Sequence, residues 1–73
     1  MRFAVVCIDH YDDHTTYHDA GIHLALAQQL AAELRNERIE EGFCEIERAP
    51  GYRHMKRFDD ELSIEIRQSE VLN

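Results

Sequence analysis

The apolar positions near the start of the chain form one continuous run. Residues 3 to 8 read FAVVCI and include β-branched side chains. A short run of this kind, ended by a charged residue such as Asp9, is typical of a strand with both faces buried. We therefore predict a central strand here. A loop should follow from His10, because the next residues are polar and show no apolar periodicity.

A change of pattern near Asp19 predicts a helix. The stretch from Asp19 to Gly42 is rich in Ala, Leu, Gln, Glu and Arg, which are good helix formers. Its predicted apolar stripe, spaced every four residues, is Ile22, Leu26, Leu30 and Leu34. Ala27 and Ala31 beside this stripe would let the helix lie close to a sheet. We expect Asp19 to cap the helix and Gly42 to end it in a left-handed conformation.

The second half of the chain shows strand-like patterns. Strands are predicted at residues 43–48 (FCEIER), 52–58 (YRHMKRF) and 61–68 (ELSIEIRQ). Turn signals separate them at Pro50–Gly51 and Asp59–Asp60. The middle segment has the weakest pattern, and its basic residues indicate an edge strand, since charge protects an exposed edge.

These elements predict one α+β domain spanning residues 1–73, with an ordered core at 1–68 and a frayed tail at 69–73. The order is strand-helix-strand-strand(-strand). One helix should pack on one face of a three- to four-stranded mixed sheet. The helix would form a right-handed crossover that makes the first two strands parallel, and the later strands would form an antiparallel meander.

The charge of the chain restricts the classes of partner that it can bind. It has 15 acidic and 8 basic residues, for a net charge of -7. Phosphates repel such a chain, so we expect a protein partner and no direct nucleic-acid contact. A domain this small buries only about 60% of its unfolded surface, which leaves little room for a deep substrate pocket and favours a possible homodimer.

The two cysteines and the start of the chain indicate a compartment. Cys7 and Cys44 fall in predicted strands. The opening residues turn acidic too early for a secretory signal, and no segment reaches membrane-spanning length. We therefore expect two reduced, buried thiols and a cytoplasmic protein without a membrane contact.

The stretch HYDDHTTYHDAGIH, from His10 to His23, holds most of the chain's 5 histidines. Imidazoles and carboxylates are good zinc ligands. One hypothesis is therefore a zinc-type metal-binding domain, with the ligand set His10, His14, His18 and Asp13. We favour a solvated recognition loop without a cofactor, because neither an H-E-x-x-H spacing nor a pair of cysteines accompanies these residues.

No catalytic motif supports an enzyme. His14 or His18 in a loop after a buried strand would suit a general base, oriented by Asp12 or Asp13. No nucleophile motif or phosphate-binding glycine loop accompanies them, and Cys7 lies within an apolar strand. We predict that the protein is not an enzyme. Basic and aromatic residues at 52–58 would suit RNA stacking, but the acidic surroundings favour an ordinary charged strand.

Acidic and tyrosine side chains are the candidate contacts with a protein. Charge complementarity speeds encounter, and buried aromatic anchors supply affinity. The predicted partner-binding residues are Tyr11, Asp12, Asp13, Tyr17, Glu37, Glu40 and Glu41. Tyr52 is a further candidate anchor.

The chain carries no family motif. In character, being tiny, acidic, compact and without a catalytic motif, it resembles the inhibitor proteins that phages and mobile elements encode, including anti-CRISPR proteins. The resemblance covers no alignable segment. It implies a small cytosolic protein-binding module that blocks a basic nucleic-acid-binding surface of its target. The alternatives are the zinc-type domain and a small homodimeric regulatory subunit or enzyme.

Overall fold

The computed structural model describes residues 1–69, which form five strands and one helix. The elements are β1 (Arg2–Asp9), β2 (His14–Asp19), α1 (Leu24–Glu40), β3 (Cys44–Ala49), β4 (Tyr52–Arg57) and β5 (Asp60–Ser69). Of the predicted frayed tail at 69–73, Ser69 is the last residue of β5. The other four positions lie outside the described residues.

All five strands form one antiparallel sheet in the order β2-β1-β5-β4-β3. The predicted α+β class with one helix is confirmed, but the three- to four-stranded mixed sheet is wrong. The predicted parallel pairing of β1 with β3 is also wrong, since β5 and β4 lie between these two strands. The physical reason is that β2 returns the chain along β1 before α1 begins, so the helix does not join two parallel neighbours.

The histidine-rich stretch forms a strand instead of the predicted loop. β2 pairs with β1 along its whole length, from Asp9 opposite His14 to Ala4 opposite Asp19. Only residues 10–13 form the turn between them. An edge strand whose side chains stay exposed needs no apolar alternation, and Thr and Tyr favour extended backbone. Apolar periodicity was therefore the wrong criterion for this segment.

The helix begins later than predicted. Its N-cap is His23, in extended backbone and without a side-chain capping hydrogen bond. Asp19, the predicted cap, instead ends β2 and accepts a 2.5 Å hydrogen bond from Arg2 Nη2. The predicted helix stop is confirmed, since α1 ends at Glu40 and Gly42 follows with φ +102°.

The helix packs on one face of the sheet through its small residues. Ala27 and Ala31 are buried there, as predicted, and their short side chains allow a close approach. The predicted apolar stripe is correct only in Leu30 and Leu34, which pack partly buried against the core. Ile22 is exposed and lies before α1 begins. Leu26 is exposed, because it lies on the flank of the helix. The buried core cluster consists of Val5, Ala27, Ala31, Phe43, Met55 and Ile64.

β1 is covered on both faces, as its apolar run predicts. Val5 and Val6 point to opposite faces of the sheet, and both are fully buried. β4, predicted as an edge strand, is instead internal, with Met55 buried at its centre. The two edges of the sheet are β2 and β3. Within residues 1–69, no helix has the length and apolar character needed to cross a membrane.

The two cysteines are free, and their exposure differs from expectation in part. Cys7 is half-buried, whereas Cys44 is exposed at the start of the edge strand β3, so its predicted burial is wrong. Burial raises the pKa of the Cys7 thiol, and the nearby Arg38 charge opposes this shift. The raised pKa favours the protonated thiol, which is a weaker nucleophile than the thiolate.

Candidate functional site

Three turns lie together at one end of the sheet. They are the β1–β2 turn (10–13), the α1–β3 turn (41–43) and the β4–β5 turn (58–59). The His10 amide donates a 2.8 Å hydrogen bond to the Glu61 carbonyl, which joins the first turn to the start of β5, beside the third turn. Arg57 Nη1 donates a 2.7 Å hydrogen bond to the Glu41 carbonyl, which joins the second turn to the third.

Acidic side chains are concentrated at this end. We call the following residues the acidic end: Asp9, Asp12, Asp13, Glu37, Glu40, Glu41, Asp59 and Asp60. Three cations at the same end, Arg38, Lys56 and Arg57, offset part of this charge. Arg38 Nη2 lies 2.9 Å from Glu41 and 3.7 Å from Glu37. Within residues 1–69, Asp12 and Glu40 form no ion pair. The field at this end is therefore negative.

The β1–β2 turn is held in a defined shape. The Asp9 carboxylate accepts hydrogen bonds from the amides of Tyr11 and Asp12, at 3.0 and 3.2 Å. Such an Asx-turn fixes the backbone two and three residues ahead. Asp13 then has φ +58°, a left-handed conformation that Asp tolerates better than most residues. The turn therefore presents Tyr11 and Asp12 to solvent from a fixed backbone.

Two aromatic side chains stand exposed among these carboxylates. Tyr11 is 65% exposed and Phe58 is 89% exposed. Phe58 also has φ +54° at the first position of a two-residue hairpin turn, where a type II′ turn prefers glycine. A bulky residue in this conformation is strained, and an exposed ring buries too little apolar surface to offset that strain. These two features make Phe58 a candidate contact residue.

The structure gathers most of the predicted contact residues. Those at or beside the three turns are Tyr11, Asp12, Asp13, Glu37, Glu40 and Glu41. Tyr17 lies elsewhere, in the middle of β2, and Tyr52 begins β4 at the opposite end of the sheet. Sequence reasoning assigned Phe58 to the end of a charged strand and missed it as an anchor. The available signal was an aromatic residue directly before the Asp59–Asp60 turn signal.

The predicted zinc ligands do not lie together. His14 and His18 share one face of β2, the same face as the core residue Val5, which is opposite His18. His10 lies on the other face, and Asp13 lies in the turn. Within residues 1–69, no three His, Cys, Asp or Glu side chains are placed to hold a metal ion. Strand alternation and the turn direct the members of the predicted set to different sides of the sheet.

A second polar cluster lies on the face of the sheet away from α1. Oε2 of Glu61 accepts a 2.8 Å hydrogen bond from Arg48 Nε and lies 2.6 Å from His54 Nδ1. The Arg48 hydrogen bond, followed by that of His54, lowers the pKa of Glu61 to about 2. The His54 and His10 rings stack with centroids 4.8 Å apart. Through these contacts the cluster ties the β3–β4 hairpin to β5 and the β1–β2 turn.

This cluster contains one hydroxyl beside an imidazole. Ser63 Oγ lies 3.0 Å from His10 Nε2, the spacing of a nucleophile and its base. Ser63 is only 3% exposed, so this hydroxyl is buried within the cluster. The hydrogen bond satisfies a buried hydroxyl and orients the His10 ring.

His14 and His18, the candidate general bases, line a groove between α1 and β2. The groove has a volume of about 420 Å³, and its lining includes Cys7, Thr16 and Arg38. Neither Asp12 nor Asp13 is among the lining residues, although Asp9 and Glu37 are. The predicted pairing of an imidazole with a turn carboxylate as its orienting group is therefore not assembled in this groove.

Comparison with known proteins identifies no relative: no family model, no curated protein and no solved structure matches the chain.

Proposed function

We propose that this protein is a protein-binding module whose acidic end contacts a basic surface of its target. It acts there as an inhibitor, by occupying a surface that otherwise binds nucleic acid. The observation that carries the proposal is the placement of two exposed aromatic rings, Tyr11 and Phe58, among the carboxylates of the acidic end. Protein interfaces combine such anchors with a surrounding charged rim.

Charge selects the class of target. Nucleic-acid-binding surfaces are basic because they neutralise phosphates, and closely spaced carboxylates present a similar negative field. The whole chain carries a net charge of -7, so long-range attraction adds to the local field and speeds encounter. Because exposed charges are screened by salt, binding should weaken as ionic strength rises.

The aromatic rings supply the affinity. Burying a large aromatic side chain that is otherwise exposed contributes roughly 1.5–3 kcal/mol. Phe58 is the stronger anchor of the two because nine-tenths of it is available for burial and its backbone already holds it outward. The Asx-turn at Asp9 similarly holds the backbone of Tyr11 in place, so binding costs little further conformational entropy there. We place the action in the cytoplasm, which suits the free thiols Cys7 and Cys44.

Capture followed by competition tests this function. The protein is immobilised through a tag without histidines and exposed to a nuclease-treated bacterial lysate. We expect it to retain a protein that a short nucleic-acid duplex then releases, since both ligands occupy the same basic surface. A retained protein that the duplex does not release, or no retained protein at all, would contradict the proposal.

A further inference from the structure

We propose that β2 pairs with β2 of a second copy of this chain, which extends the antiparallel sheet across a two-fold axis. The proposal does not depend on the function proposed above. It rests on a difference between the two edges of the sheet. β3 carries the devices that block edge pairing, namely the charges of Glu45 and Arg48, a register shift between residues 47 and 49, and Pro50 directly after it.

The edge at β2 has none of these devices. Its sequence, HTTYHD, contains no Lys and no Pro, and it pairs with β1 over all 6 residues without a register shift. Its one carboxylate, Asp19, is held by Arg2 at 2.5 Å. In a chain of net charge -7, this edge is therefore nearly neutral and can meet an identical edge without strong repulsion.

Alternation identifies the backbone groups that face outward. The Ala20 amide donates a 2.9 Å hydrogen bond to the Phe3 carbonyl, so the even-numbered residues of β2 bond to β1. The odd-numbered residues Thr15, Tyr17 and Asp19 therefore direct their N–H and C=O groups away from the sheet. Within residues 1–69, no strand pairs with that side of β2.

The outward groups favour one register for the second copy. When Tyr17 lies opposite Tyr17 of the second copy, Thr15 pairs with Asp19, and all three outward residues of each copy are hydrogen-bonded. Shifting the register so that Thr15 lies opposite Tyr17 leaves Asp19 without a strand partner. The first register also places each Asp19 opposite an uncharged threonine, so no like charges meet across the pair.

The side chain of Tyr17 suits this register. It is 66% exposed and, through its pairing with Val6, lies on the face of the sheet away from α1. Residues opposite each other in a hydrogen-bonded antiparallel pair have Cα atoms about 5.5 Å apart. The two Tyr17 rings then lie side by side on one face, and cross-strand aromatic pairs of this kind stabilise sheets.

The helix layer leaves room for the second copy. α1 packs over β1 and β5, not over the edge strand. With strands about 4.8 Å apart, each α1 lies about 10 Å from the two-fold axis, so the two helices are about 20 Å apart and do not collide. The contact is then confined to the strand edges, below the roughly 1,200 Å² of a standard interface, and the dimer should form only at high concentration.

Sedimentation velocity from micromolar to millimolar concentration tests the dimer. We expect the average mass of the wild type to rise toward twice that of the monomer. Tyr17→Lys should remain monomeric, because two ammonium groups would then face each other, whereas the matched variant Tyr52→Lys should dimerise like the wild type. A monomeric wild type at every concentration, or equal losses in the two variants, would overturn the proposal.

Disulfide trapping tests the register. Tyr17→Cys, combined with Cys44→Ser, should form a covalent dimer on mild oxidation, since a Cα separation of about 5.5 Å suits a disulfide. Thr15→Cys in the same background should not, because Thr15 faces Asp19. Cys7 is half-buried and is present in both variants, so it cannot account for a difference between them. Trapping at Thr15→Cys as efficient as at Tyr17→Cys, or trapping at neither, would overturn the register.

Discussion

Arg48 at the end of β3 donates a 2.8 Å hydrogen bond from its Nε to Oε2 of Glu61 in β5. The second guanidinium nitrogen, Nη2, pairs with the other carboxylate oxygen. The contact passes over β4, so it fastens the outer hairpin to the central strands. Both oxygens of Glu61 are engaged, and His54 adds a third partner.

This contact makes stability depend on pH. The pKa of Glu61 is about 2 in the folded protein, against an ordinary value of 4.5, so folding favours the ionised form. The stabilisation is present above pH 4.5 and is lost as the pH falls toward 2. We expect Glu61→Gln to lower the free energy of unfolding at neutral pH by roughly 1.5–3 kcal/mol. Urea denaturation should show that the difference in unfolding free energy between wild type and Glu61→Gln becomes smaller as the pH falls from neutral toward 2.

A matched variant separates this effect from a general change in charge. Glu33→Gln removes an exposed carboxylate of α1 that has no ion pair within the described residues. It should change the unfolding free energy little at any pH. A Glu61→Gln difference that stays constant from neutral pH down to 2 would contradict the role given to the ion pair.

Substitution of Phe58 in its strained turn should affect stability and target binding differently. We expect Phe58→Gly to leave the free energy of unfolding unchanged or to raise it by up to about 1.5 kcal/mol. Glycine relieves a left-handed strain of about 1–2 kcal/mol in the folded state. It also gives the unfolded chain more conformational entropy, which lowers the free energy of unfolding by roughly 0.5–1 kcal/mol. The same change should reduce capture of the target, because the ring is the proposed anchor. Chemical denaturation and the capture assay measure the two effects.

Phe58→Ala is the control for the turn. It removes the ring but keeps a side chain in the left-handed conformation, so it should lose capture without a gain in stability. If Phe58→Gly instead destabilises the fold by more than about 1 kcal/mol, the ring serves the fold and the proposed division between strain and binding is wrong.

Zinc should not stabilise this protein. His10 lies on the opposite face of the sheet from His14 and His18, so the proposed ligands cannot close around one ion without unfolding β2. We expect the melting temperature to be the same with stoichiometric Zn²⁺ and with EDTA. A rise in melting temperature with Zn²⁺ that EDTA reverses would show that the folded protein binds zinc and would contradict this prediction.

Local patterns were sufficient for the elements that bury apolar residues. The run around Val5 and Val6 identified β1, and the alternation of Leu62 and Ile64 identified β5. The helix was also found, although its start was placed at Asp19. That error has a physical cause, since Asp19 is a good capping residue in isolation but is bound to Arg2 in the sheet.

The strand order depends on contacts that no local pattern encodes. β5 pairs with β1 across most of the chain length, and this pairing separates β1 from β4 and β3. β2 went undetected because an exposed edge strand has no buried face to reveal it. The acidic turns were each visible in the sequence, but their assembly at one end follows from this long-range pairing. The strained conformation of Phe58 is likewise visible only in the structure.

The most direct test of the acidic end is a matched pair of charge reversals in the capture assay. Asp12→Lys changes an exposed carboxylate of the acidic end, and Glu33→Lys makes the same change in net charge outside it. Asp12 is preferred to Asp13, because a lysine at φ +58° would add strain. We expect Asp12→Lys to lower the retained target several-fold at moderate salt while Glu33→Lys retains it like the wild type. Equal retention by the two variants would contradict a contact through the acidic end.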